Sequence, residues 1–155
     1  MDRLTRDALD EALEDEYKAH ATYRAVIERF GDIRPFINIV ESEARHIAAL
    51  LALYDKFGIE PPPDRWKDAV EAPATVEEAC RTAVEAEEEN DAMYDRLIAA
   101  TDDADIRAVM QRLQAASRDN HLPAFKRCVA RGGRPGRGMG GRGHGRGHGG
   151  GRCRD

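Results

Sequence analysis

The feature that most constrains this chain is a carboxylate set in the middle of an apolar helical face. Between Phe36 and Phe57, the residues Phe36, Ile39, Val40, Ile47, Leu50 and Tyr54 recur at helical spacing, and Glu43 and His46 fall on the same arc. At roughly 100° per residue, Glu43 lies near the centre of that arc and Glu41 points the opposite way. An ionised carboxylate among aliphatic side chains is costly unless paired, and a metal ion is a frequent partner. The rest of the chain must therefore supply that partner.

Three further helices are legible around this one. The first is predicted from about Thr5 to Phe30, with the inward stripe Leu9, Leu13, Glu16, His20, Tyr23, Ile27 and Phe30. Gly31 ends it, and the short turn containing Asp32 and Pro35 makes helices one and two antiparallel neighbours. The second helix stops at Gly58. Residues Ile59 to Ala74, with Pro61-Pro62-Pro63, Trp66 and Pro73, form a connection that reaches roughly 50 Å when extended, enough to run the length of a bundle with Trp66 as an anchor. Thr75-Val76-Glu77-Glu78 reads as a capping box opening helix three, which continues to about Ala100. After the turn Thr101-Asp102-Asp103, helix four is expected from about Ala104 to Ala130, with a kink at Pro123. Four helices, two short links and one long middle link describe an all-α four-helix bundle with one crossover between helices two and three.

Charge divides the chain. Residues 1–130 carry 17 Lys and Arg against 28 Asp and Glu, whereas residues 131–155 carry seven Arg and only Asp155. The tail also holds 12 of the 14 glycines, so it cannot recover its ordering entropy by burial and is expected to be disordered. The start Met1-Asp2-Arg3-Leu4 lacks the apolar stretch of a secretory signal, and no apolar run approaches membrane-spanning length, which makes the cytoplasm the expected location. His144, His148 and Cys153 lie among the tail arginines. A solvated tail with no specific task is favoured there over metal gathering or contact with nucleic acid.

An internal similarity ties the four helices to one site. Glu16 precedes Tyr23 by seven residues in helix one, and Glu87 precedes Tyr94 by seven in helix three. Glu87 is the central inward residue of its helix. In helix four the inward stripe is Met110, Leu113, Ser117, His121, Phe125 and Cys128, and His121 aligns with His46. Glu-x6-Tyr on helices one and three, with Glu-x-x-His on helix two, resembles the ferritin-like superfamily, the rubrerythrin and bacterioferritin group, over roughly residues 5–130.

That resemblance implies a ferritin-like bundle with Glu16, Glu43, His46, Glu87 and His121 as metal ligands. Such oxygen and nitrogen donors suit iron, or manganese, with dioxygen or peroxide as co-reactant. Tyr23 and Tyr94 would donate hydrogen bonds to the ligand carboxylates or relay electrons; a core tyrosine with a satisfied hydroxyl is an equal expectation. The pattern departs at Arg118, three residues before His121, where a carboxylate is expected and a permanent positive charge stands. Three alternatives stay open: an asymmetric two-metal site, a mononuclear site, or an ion pair replacing one metal. Asp119 points away on a regular helix, though a kink or bulge would reposition it. His20, one turn from Glu16, is expected at the boundary facing solvent rather than as an extra ligand.

Cys80 and Cys128 should face inward at one end of the bundle. Two reduced thiols are expected, with a redox-active pair as the alternative. Paired CxxC motifs of a rubredoxin module are absent, and the tail does not read as a fifth helix of the kind seen in storage cages, so a cage is not expected and a homodimer stays open. The competing function is a metal-free bundle serving as a binding or scaffolding module, with Arg118 paired to Glu87 or Glu43.

Overall fold

A computed structural model of the protein describes residues 1–135. The expected disordered tail lies, from residue 136 onward, outside the described residues. Helix α1 spans Arg3–Phe30, α2 Phe36–Phe57, α3 Val76–Ala99 and α4 Ala104–Ala116; a π turn, Ser117–His121, then leads directly into α5, Leu122–Ala130. The last three form one rod, so the architecture is the expected four-helix bundle. Among the described residues no helix is long and apolar enough to cross a membrane.

Local chemistry explains the boundaries. Asp2 caps α1 by accepting from the Thr5 backbone N–H at 2.8 Å, which starts the helix two residues earlier than expected. Gly58 closes α2 in the left-handed conformation. At Thr75 both halves of the capping box form: Glu78 N–H donates to Thr75 Oγ1 at 3.1 Å, and Thr75 N–H donates to Glu78 Oε2 at 3.2 Å. Asp103 caps α4 by accepting from the N–H groups of Asp105 and Ile106.

The kink expected at Pro123 takes a specific form. Proline has no N–H for the carbonyl of residue 119, and its ring crowds that carbonyl. The chain responds one turn earlier by widening: Leu122 N–H reaches Ser117 O, an i to i+5 bond.

The connection from 59 to 75 runs back along the bundle, so α2 and α3 point the same way. Trp66 pins it, its indole N–H donating to Glu14 Oε2 at 3.1 Å while its ring packs against the core. Arg65 meets the same carboxylate at 2.8 Å. The bundle has two apolar cores. One holds Leu9, Leu13, Leu50, Tyr54, Leu97, Ile106 and Met110; the other holds Tyr23, Val26, Phe36, Ala83, Phe125 and Cys128. Between them lies a buried polar layer of Glu16, Glu43, His46, Glu87, Ser117 and His121.

Cys80 and Cys128 are joined in a disulfide between α3 and α5, which corrects the expectation of two reduced thiols. Helical spacing had put both on the same end and face, and here they come within bonding distance.

Removing the Thr75 hydroxyl tests the helix-start assignment. Thr75→Ala should lower stability by about 1 kcal/mol, seen as a lower urea midpoint with an unchanged slope. An unchanged midpoint would show that the box contributes nothing to α3.

Candidate metal centre

Each helix delivers its part of the polar layer by the periodicity that builds the cores. Glu16 from α1, Glu43 and His46 from α2, Glu87 from α3 and His121 from the π turn are all at most 6% exposed. Glu43 is the shared member. Its Oε2 lies 3.0 Å from His46 Nδ1 and its Oε1 lies 3.1 Å from His121 Nδ1. Glu16 Oε2 completes one group at 3.1 Å from His46 Nδ1, and Glu87 Oε1 approaches His121 Nδ1 at 3.6 Å. The result is two triads, Glu16–Glu43–His46 and Glu43–Glu87–His121, each offering ligand atoms within 4.8 Å of one another. The imidazoles stack 5.3 Å apart, and Ser42 Oγ sits between their far edges, 3.0 Å from His121 Nε2 and 3.4 Å from His46 Nε2.

The tyrosines of the repeat cross over. Tyr23 of α1 donates to Glu87 Oε1 of α3 at 2.7 Å, and Tyr94 of α3 donates to Glu16 Oε1 of α1 at 2.6 Å. Each phenol therefore orients the glutamate of the opposite helix, which explains why both helices need the same seven-residue spacing. Burial holds both phenols protonated, with pKa values well above the usual range.

The expectation for Arg118 is overturned. The wide π turn puts Ser117, four residues before His121, at the position a regular helix would give Arg118, and Ser117 donates to Glu87 Oε2. The Arg118 side chain is 53% exposed and meets Asp119 at 3.4 Å. It is paired with neither Glu43 nor Glu87, and Asp119 is not brought inward either. The positive charge that would have repelled a second cation is outside the centre. His20 stays half-buried at the surface beside Arg24 and Asp64, apart from both triads.

Sequence reasoning missed three contributors. Ser42 bridges the imidazole edges, Ser117 lay on the inward stripe without an assigned role, and Asn90 donates to Asp15 Oδ2 at 2.8 Å on the cavity wall. The one available signal was the run Leu113, Ser117, His121, Phe125, whose successive steps of four exceed the 3.6-residue repeat and call for a widened turn. A cavity of about 170 Å³ lies between α1 and α3, and its walls include Glu16, Glu43, His46 and Glu87 together with the exposed Lys18 and Glu89.

Without a cation the layer balances itself with protons. Burial pushes Glu16 up to about 7, reinforced by the neighbouring Glu43 charge. Burial raises Glu43 as well, but the His121 and His46 imidazoles outweigh it and hold that carboxyl below its usual value. Burial lowers both histidines, yet the glutamates raise His46 to about 9 and His121 to about 10. The donor set also fits a cation. Donors about 3 Å apart match neighbouring ligands of a six-coordinate ion bound at about 2.1 Å. His121 Nδ1, although 3.1 Å from Glu43 Oε1, makes no well-directed hydrogen bond despite its burial.

These shifts set a pH dependence. Both histidines and Glu16 bind protons more tightly when folded, so their contribution is present at low pH and is lost as pH rises through the folded values. The metal-free protein should lose stability from about pH 4.5, where Glu16 starts to hold its proton more tightly than the unfolded chain does, through to about pH 10, where the histidines have lost theirs. A bound divalent cation displaces those protons, so stabilisation by manganese should grow across the same window. Melting temperatures with and without manganese at several pH values check both slopes; curves that run parallel would contradict the linkage.

No protein-family model and no curated protein matches the chain, but two solved structures do. A hypothetical protein of Methanococcus jannaschii DSM 2661, MJ0754, is 26% identical over 81% of this chain and 79% of its own, with a TM-score of 0.73. A conserved hypothetical protein of Mycobacterium tuberculosis, rv2844, is 14% identical over 82% of this chain and 91% of its own, with a TM-score of 0.67. The second likeness is one of fold alone, and both agree with the all-helical bundle described above.

Proposed function

We propose that this chain is a ferritin-like metal-binding protein that holds two divalent cations, iron first and manganese as the substitute, in its buried polar layer. The observation that carries the reading is Glu43, whose two oxygens each face a different histidine in a different triad. Glu16 and His46 would complete one position, and Glu87 and His121 the other. Three carboxylates and two neutral imidazoles carry −3, which suits two divalent ions now that Arg118 is known to lie outside. Hard oxygen donors with imidazole favour iron or manganese over metals that prefer thiolate.

Bound iron would supply one-electron steps between its ferrous and ferric states toward dioxygen or peroxide. The chain's own residues provide the setting. Tyr94 holds Glu16 Oε1 and leaves Oε2 facing His46, whereas Tyr23 holds Glu87 Oε1, the oxygen nearest His121. Ser117 holds the second oxygen of Glu87, and Ser42 fixes the histidine planes. The cavity between α1 and α3 admits a molecule of few atoms, and the two apolar cores keep bulk water from either end.

A second reading rests on the proton balance. With both histidines protonated, His46 is a partner for Glu16 and Glu43, and a metal-free bundle acting as a binding module would need no cation. Metal content after expression in iron-supplemented medium separates the two. Wild type should retain up to two irons per chain, Glu43→Ala should lose both, and Glu16→Ala should keep the Glu87–His121 half. A metal-free wild type whose melting temperature is unmoved by ferrous iron or manganese would remove the proposal, because tight binding at a hundredfold excess over Kd should add about 2.7 kcal/mol.

A further inference from the structure

The disulfide lies in line with the candidate centre. Cys80 precedes Glu87 by seven residues on α3, and Cys128 follows His121 by seven on the last rod, so each sulfur sits two helical turns from a ligand of the same triad, roughly 10 Å at 1.5 Å per residue. Aromatic side chains fill the space between. Tyr23 holds Glu87 through its hydroxyl, and its ring lies 5.1 Å from that of Phe125, which stands on α5 between His121 and Cys128. Phe36 closes the group, 5.1 Å from Phe125 and 5.8 Å from Tyr23. All three rings and both cysteines are at most 1% exposed.

A bond placed only to staple α3 to α5 could lie anywhere along their contact. This one shares a dry aromatic core with one metal position and is shut away from solvent, so an oxidant in water has no direct approach to it. The cavity, by contrast, leads a small molecule to Glu16 and Glu87.

We propose that Cys80 and Cys128 are the electron store of the centre, and that the substrate they serve is a hydroperoxide. This rests on the metal-binding reading above. In the step, two thiols become one disulfide and release two electrons and two protons. Hydrogen peroxide accepts both, its O–O bond breaks, and its oxygens leave as two waters; an organic hydroperoxide would leave one alcohol and one water. With a metal bound, the chain's own residues between the pair and the centre would be Phe125, Tyr23 and Glu87. Two electrons match a peroxide, whereas full reduction of dioxygen needs four. An external thiol restores the pair, and Cys128, two residues from the end of α5, is the sulfur nearer a helix end and so the one it would attack.

The test uses the full chain and counts thiols rather than activity. The protein is reduced with excess small dithiol, freed of it under nitrogen, loaded with ferrous iron and given one equivalent of hydrogen peroxide. It is then quenched in acid, alkylated and weighed. Of the three cysteines, Cys80 and Cys128 should pair while Cys153 stays free, on the order of tenfold or more faster than in the metal-free protein. After the reaction the iron of wild type should again be ferrous to a chelator, whereas in a C80S/C128S variant it should remain ferric. If that variant does not fold, the thiol count on wild type decides alone. Iron-loaded protein whose thiols oxidise no faster than the metal-free protein's would overturn the inference while leaving the metal site standing. So would a bond to Cys153, or a disulfide that resists excess dithiol in the folded protein. Failure to retain iron at loading would remove the metal reading and this inference together.

Discussion

The rest of the structure depends on one buried carboxylate. Glu43 stands where an aliphatic residue would be expected, and its charge cannot be left alone in a medium of low dielectric. Two imidazoles answer it, one from its own helix and one from the far end of the chain. Each imidazole in turn needs a second carboxylate, which comes from α1 or α3, and each of those is tied by a tyrosine from the other helix. The four rods are thus held in register by polar contacts whose geometry is far stricter than that of the apolar layers above and below. Such a layer costs stability relative to a fully apolar core, and cores of this kind persist where the polar groups have a task.

The arrangement has an approximate two-fold logic. Glu16, His46 and Tyr94 on one side correspond to Glu87, His121 and Tyr23 on the other, with Glu43 common to both. Symmetry breaks at Ser117, where a carboxylate would have completed the second side. Its hydroxyl satisfies Glu87 instead of adding a charge. That leaves the His121 side one negative charge poorer than a fully symmetric site. The same side carries the π turn and runs toward the disulfide, so the chemistry of the two halves need not be equivalent.

Much of this was legible in the sequence because helices report their inward face through a simple period. Glu16, Glu43, His46, Glu87 and His121 were identifiable as inward and close to one level, and the structure brings all five together. Thr75, Gly31 and Gly58, with the turn Thr101-Asp102-Asp103, marked helix ends, and the structure adds that Asp103 is the cap of α4. The period also explains the failure at Arg118. Counting three residues back from His121 assumes 3.6 residues per turn throughout, and one inserted residue rotates everything before it by about 100°. Pro123 announced a distortion but not which carbonyl would yield. Ser42 and Asn90 carried no signal, since their roles come from neighbours on other helices. The disulfide turned on the distance between two rods, which periodicity fixes in level and face but not in separation.

The claim that Glu43 is shared between two cations is best tested by anomalous diffraction from a crystal equilibrated with manganese. The account predicts two anomalous peaks on opposite sides of the Glu43 carboxylate, one adjoining Glu16 and His46 and the other adjoining Glu87 and His121. A map with no peak in the polar layer, the five side chains keeping the contacts described here, would contradict it.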